Sequence, residues 1–94
     1  MYASVRRYKV DPHKIGELER LLPIAVEAMS ALNGFRAYYV IKGDDGSIAS
    51  VSLFSSCESA AQSNVVAAQY VREHAADLLT EPVDTITGEV IAYA

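Results

Sequence analysis

Ninety-four residues and 10.2 kDa make one domain's length of chain, and surface scaling leaves about 5,300 Å² exposed of about 14,800 Å², enough for a modest core. The chain is 51% hydrophobic and 21% charged, with net charge −4 and a pI near 5.0. No basic stretch exceeds Arg6-Arg7, which argues against a nucleic-acid partner. The single Cys57 forbids an internal disulfide and a cysteine-based metal cluster. Apolar runs are only a few residues long, such as Tyr38 to Ile41, too short for a membrane span. The N-terminus lacks the basic-apolar-small order of a signal peptide, so a cytoplasmic protein is expected.

Residues 2–10, rich in Tyr and Val and partly alternating, read as a strand. Asp11 as N-cap and Pro12 at the first helical position start a helix. Its apolar stripe is Ile15, Leu18, Leu22, Ala25, Val26, Met29 and Leu32, with Pro23 inside and expected to kink it. Asn33-Gly34 supplies the C-terminal left-handed cap. Phe35 to Lys42 and Ile48 to Ser55 are two more strands around a Gly43-Asp44-Asp45-Gly46 hairpin. The aspartates there lack the further ligands of a calcium loop, so a plain turn and no metal are expected.

Ser55 with Glu58 resembles a capping box, opening a second helix. That helix is expected to carry Ala61, Val65, Ala68, Val71, Ala75, Leu78 and Leu79 on one face and to end at Glu81-Pro82. Val83 to Tyr93 reads as a last long strand, with Gly88 as a bulge or close approach. The order β-α-β-β-α-β, in a single domain over residues 1–94, predicts an α+β fold. Its four-stranded antiparallel sheet carries both helices on one face.

The strand faces carry a further expectation. In the second strand Phe35, Ala37, Tyr39 and Ile41 alternate with Arg36, Tyr38, Val40 and Lys42. In the third, Ala49, Val51 and Leu53 alternate with Ile48, Ser50, Ser52 and Phe54. Neither strand has a cleanly polar face, so something covers the side without helices. A second copy of the chain, pairing through the sheet, is the simplest cover.

Asn33-Gly34-Phe35, the Gly43-to-Gly46 hairpin and Val51-Ser52-Leu53-Phe54 followed by Glu58 and Ala60-Ala61 resemble the antibiotic biosynthesis monooxygenase-like family. The likeness covers almost the whole chain, with Asn-Gly-Phe standing where the family usually has Pro-Gly-Phe. It implies a ferredoxin-like monomer that pairs sheet to sheet into a dimeric α/β barrel, with a pocket between sheet and helices. Members include cofactor-independent monooxygenases of polycyclic phenols, haem-degrading enzymes and proteins without assigned function. The haem-degrading members rely on a Trp, an Asn and a haem-ligating His; this chain has no Trp and no Asn in its first strand. A protein that binds a small aromatic or enolisable ligand without a cofactor is therefore expected, either as a monooxygenase or as a non-catalytic or stress-associated binding module.

Seven residues are candidates for ligand binding. Asn64 falls among Ala61, Ala68, Val71 and Ala75, where its amide either orients a ligand carbonyl or phenol or makes a structural hydrogen bond. Tyr38 and Tyr39 point to opposite faces of their strand, as do Arg6 and Arg7 of theirs. A buried phenol can hydrogen-bond a substrate, and a covered arginine can hold an anionic one. Arg72 sits at the edge of the second helix's stripe. His74 is of the residue type that serves as a general base, but it lies a quarter-turn off the stripe, on the flank of Ala67 and Tyr70, where a solvated or interface histidine is the plainer reading. His13 reads as surface, Cys57 as a small cap-region residue, and Ser50 and Ser52 have no His–Asp partnership.

Overall fold

The computed structural model describes Met1–Ala94. Its elements are β1 (Tyr2–Lys9), a 3₁₀ turn at Pro12–Lys14, α1 (Ile15–Ser30), β2 (Phe35–Lys42), β3 (Ser47–Phe54), α2 (Cys57–His74) and β4 (Asp84–Glu89). The strands form one sheet in the order β2-β3-β1-β4, every neighbouring pair antiparallel. This is the expected α+β, ferredoxin-like β-α-β-β-α-β arrangement. The Asp11 side chain accepts from the His13 N–H and Pro12 follows it, as expected, although the element they open is the short 3₁₀ turn. The α1 helix runs on through Pro23. Gly34 (φ +71°) and Gly46 (φ +82°) take the left-handed conformations their turns require.

The helices pack on the face that carries Ser4, Arg6 and Tyr8 of β1, Val10 just after it, and Ile48, Ser50, Ser52 and Phe54 of β3, all buried. Leu18 and Ala25 of α1 and Tyr70 of α2 close over Tyr8, Val10 and Ile48 to form the main apolar core. The other face of the sheet has no layer over it. There Tyr39, Ile41 and Ile86 are 57%, 51% and 70% exposed, beside the half-buried Val5, Val51 and Leu53. Thus the serine-bearing set of β3 faces inward and the aliphatic set faces outward, the reverse of a half-solvated sheet.

Several local expectations are corrected. A bulge between Phe35 and Ala37 reverses the first residue of β2, so Phe35 pairs with Phe54 on the helix side, edge to face at 6.0 Å, and not with Tyr39. The buried face of α2 is Ala60, Ser63, Ala67 and Tyr70, while Ala61, Ala68 and the 55% exposed Val65 turn outward. The inward face of α2 is smaller and more polar than hydropathy suggests because it lies on the serines of β3. Ser56, not Ser55, caps α2, accepting from Ser59 N–H, while Ser55 N–H donates to Gly34 C=O. The helix ends at His74 rather than at Glu81-Pro82. Ala75 leaves helical geometry (φ −133°), and its carbonyl takes the N–H groups of Leu78 and Leu79 in a turn that tucks Leu79 inside. Finally, β4 stops at Glu89 because its partner β1 begins at Tyr2; Gly88 pairs in register with Ala3, without a bulge or a close neighbour.

Candidate functional site

The register of the sheet builds an unusual polar centre. Arg6 lies opposite Ser50, and Ser4 lies opposite Ser52 on one side and Thr87 on the other. The α2 helix lays Ser63 and Asn64 over them. Arg6, 1% exposed, donates from Nε to Ser50 Oγ (3.1 Å) and from Nη2 to Ser52 Oγ (3.1 Å). Its Nη1 donates to Ser63 Oγ (3.2 Å) and Asn64 Oδ1 (2.8 Å). Asn64 Oδ1 also accepts from Ser4 Oγ at 2.5 Å, and Asn64 Nδ2 donates to Thr87 Oγ1 at 2.9 Å.

The ion pairs of the molecule are Arg7–Asp84, Lys42–Glu19 and His74–Glu73, and Arg6 belongs to none of them. Burying an unpaired cation costs several kcal/mol. Charge-assisted hydrogen bonds, at about 1.5–3 kcal/mol each, offset that cost. Burial pulls the guanidinium below its ordinary value, partly opposed by the neighbouring Tyr8 and Tyr38 phenols, yet an arginine stays charged in a protein. Burial in turn pushes both phenols above theirs, outweighing the opposite pull of Arg6. The centre is therefore one fixed positive charge among neutral oxygens.

A cleft of about 380 Å³ opens beside this centre. Arg6, Asn64, Tyr8, Arg72, Thr80, Glu81 and Thr85 supply its polar lining, and Ala68, Val71, Ala76, Leu79 and Pro82 its apolar wall. A smaller cavity of about 30 Å³ under α1 shares Tyr8, Val71 and Leu79 with the cleft, and Tyr38, Tyr70 and Met29 also line it. The Tyr70 hydroxyl is buried without a hydrogen-bond partner.

Of the seven sequence candidates, the fold brings Arg6, Asn64 and Arg72 to the cleft and Tyr38 to the adjoining cavity. Arg7 and Tyr39 do not reach it, because strand alternation turns them to the uncovered face; Arg7 pairs there with Asp84 at 3.2 Å. His74 is also elsewhere, in a separate groove of about 190 Å³ with Ile24 and Ala28. Its Nε2 lies 3.9 Å from Glu73 and its ring is tilted against Tyr70. The residues missed were Tyr8, Thr85 and the serines. The signal was present in the spacing Ser4-Arg6 and Ser50-Ser52, which puts three hydroxyls and a guanidinium on facing strands.

No cluster of three or more His, Cys, Asp or Glu side chains is placed to hold a metal. The cleft lining contains no His, Cys or Met, and His74 faces another groove. The residues present do not fit haem.

No family model and no curated protein matches the chain. Solved structures do. A provisionally assigned antibiotic biosynthesis monooxygenase from Nitrosomonas europaea aligns over 99% of this chain and 93% of its own, at 14% identity and a TM-score of 0.76. A mutant of SnoaB, a cofactor-independent oxygenase from Streptomyces nogalater, aligns over 98% and 94%, at 11% identity and a TM-score of 0.75. A mutant of MhuD with two manganese protoporphyrin IX molecules per active site aligns over 100% and 98%, at 18% identity and a TM-score of 0.78. The resemblance read from the residues therefore holds for the fold, which this chain shares with antibiotic biosynthesis monooxygenase-like structures.

Proposed function

We propose that the cleft beside Arg6 and Asn64 binds a small aromatic or enolisable molecule and that the protein, as a homodimer, orients it for reaction with dioxygen without a cofactor. The observation that carries this reading is the cleft itself: apolar walls meeting the buried Arg6 hydrogen-bonded to the half-buried Asn64, the composition of a small-molecule site. The likeness in fold to SnoaB, described as a cofactor-independent oxygenase, supports the reaction class. In such chemistry a substrate acidic enough to reach the cleft already ionised reduces dioxygen through its own anion, a CH₂ becoming C=O with loss of water. The protein supplies orientation and a dry site. Asn64 Oδ1 already takes two donors, while Thr87 Oγ1 takes one of the amide's two N–H groups; the second is free for a ligand carbonyl.

A non-catalytic binding module is the second reading, favoured by one observation. Glu81 is the only carboxylate in the cleft, which has no histidine or lysine to act as a general base. Oxygen uptake with 1,8-dihydroxyanthrone, followed beside tyrosine fluorescence, separates the two. Oxygenase activity predicts saturable uptake above the protein-free rate, lost in Asn64→Leu with the fold intact by circular dichroism. Fluorescence change without uptake assigns the module instead, and neither signal removes the cleft as a site.

A further inference from the structure

We propose that the cleft takes its ligand as a monoanion already ionised in neutral water, a carboxylate on an aromatic ring, with Arg6 as the counter-charge. This rests on the cleft being the ligand site. Buried charges in proteins are ordinarily paired with opposite ones. Arg6 is buried to 1% exposure, yet every group it bonds is a neutral oxygen. Those bonds use four of the guanidinium's five N–H donors, and the remaining neighbours of the guanidinium, the Tyr8 and Tyr38 phenols, are neutral as well, so no counter-charge is supplied by the chain itself. Arg72 lines the same cleft and Glu81 is its only acid, so the lining is net positive in a protein of net charge −4. Charge that runs against the sign of the whole molecule selects for an anion.

The charge must arrive with the ligand. Tyr8 and Tyr38 lie beside Arg6, and their phenols are nonetheless harder to ionise than usual, because burial outweighs the attraction. A ligand phenol of ordinary acidity would likewise stay neutral there, and the cleft has no histidine or lysine to take its proton. One buried cation suits a singly charged group rather than a phosphate dianion, which Glu81 would also repel. Val71, Leu79 and Pro82 form an apolar wall for the ring.

Isothermal titration with 2-naphthoate and its neutral isostere 2-naphthamide tests the proposal at pH 7 and low salt. The expected result is naphthoate binding at least tenfold tighter. Arg72→Gln should weaken naphthoate about threefold or more without changing naphthamide, and Arg6→Met, where it folds, should bring the two affinities together. Equal binding of the two compounds, or tighter naphthamide, overturns the charge assignment and leaves the cleft as a site. Binding of neither overturns both.

Discussion

Replacing Arg6 with lysine keeps one positive charge but cannot span Ser50, Ser52, Ser63 and Asn64, which a planar guanidinium reaches with four separate N–H groups. Arg6→Lys is expected to lower stability by about 1–3 kcal/mol in urea unfolding; an unchanged midpoint would contradict the network. Tyr70 is the opposite case. Its buried hydroxyl bonds to nothing, so Tyr70→Phe is expected to be neutral or stabilising by up to about 1 kcal/mol. The phenols also give a pH dependence. Burial raises Tyr8, Tyr38 and Tyr70 above the ordinary range, so the fold favours their neutral form. That contribution is complete below about pH 10 and is lost as pH rises through the folded values. Part of the phenolate absorbance of the native protein should therefore appear at higher pH than in the urea-unfolded chain; coincident titrations would contradict the burial. Strand alternation made the split of Arg6 from Arg7 and of Tyr38 from Tyr39 legible in the sequence. Which of each pair faces inward was not, because hydropathy ranks an arginine-and-serine face as solvent.

Among the elements, α2 shows how a reading can be right in kind and displaced by one residue. Its cap is Ser56, whose side chain accepts from Ser59 N–H at 3.2 Å. Ser56→Ala should cost about 1 kcal/mol and Glu58→Gln much less; the reverse ranking would restore the Ser55–Glu58 box. The neighbouring serine is committed elsewhere, since Ser55 N–H holds the Gly34 carbonyl at 2.9 Å. A side chain at Gly34 would run into Ser55 Oγ and would sit at φ +71°. Gly34→Ala is accordingly expected to destabilise by about 1–3 kcal/mol in the same urea assay. The existence, order and type of the four strands and two α-helices follow from periodicity and turn residues; the 3₁₀ turn at Pro12–Lys14 does not. The bulge in β2, the early end of α2 and the short β4 do not, because each is decided by a partner distant in sequence: Phe54 for Phe35, the core for Leu79, and the start of β1 for the end of β4.

For the whole molecule, the accessible surface is 5966 Å², about a tenth more than a compact monomer of this mass exposes. The excess accords with the uncovered sheet face of Tyr39, Ile41 and Ile86, which supports a sheet-to-sheet homodimer. Sedimentation at micromolar concentration should give twice 10.2 kDa, and Ile41→Lys should shift it toward the monomer; a wild-type monomer would contradict this assembly. Composition showed that apolar surface was in excess, and strand patterning located it on the sheet. The cleft proposed as the ligand site lies on the opposite side, under α2. Amide and arginine Nε–H chemical-shift mapping during a 2-naphthoate titration is the most direct test of that division. The expected shifts cluster at Arg6, Asn64, Arg72 and the Thr80–Thr85 segment; shifts confined to Tyr39, Ile41, Val51 and Ile86, or none at all, would contradict the cleft as the site.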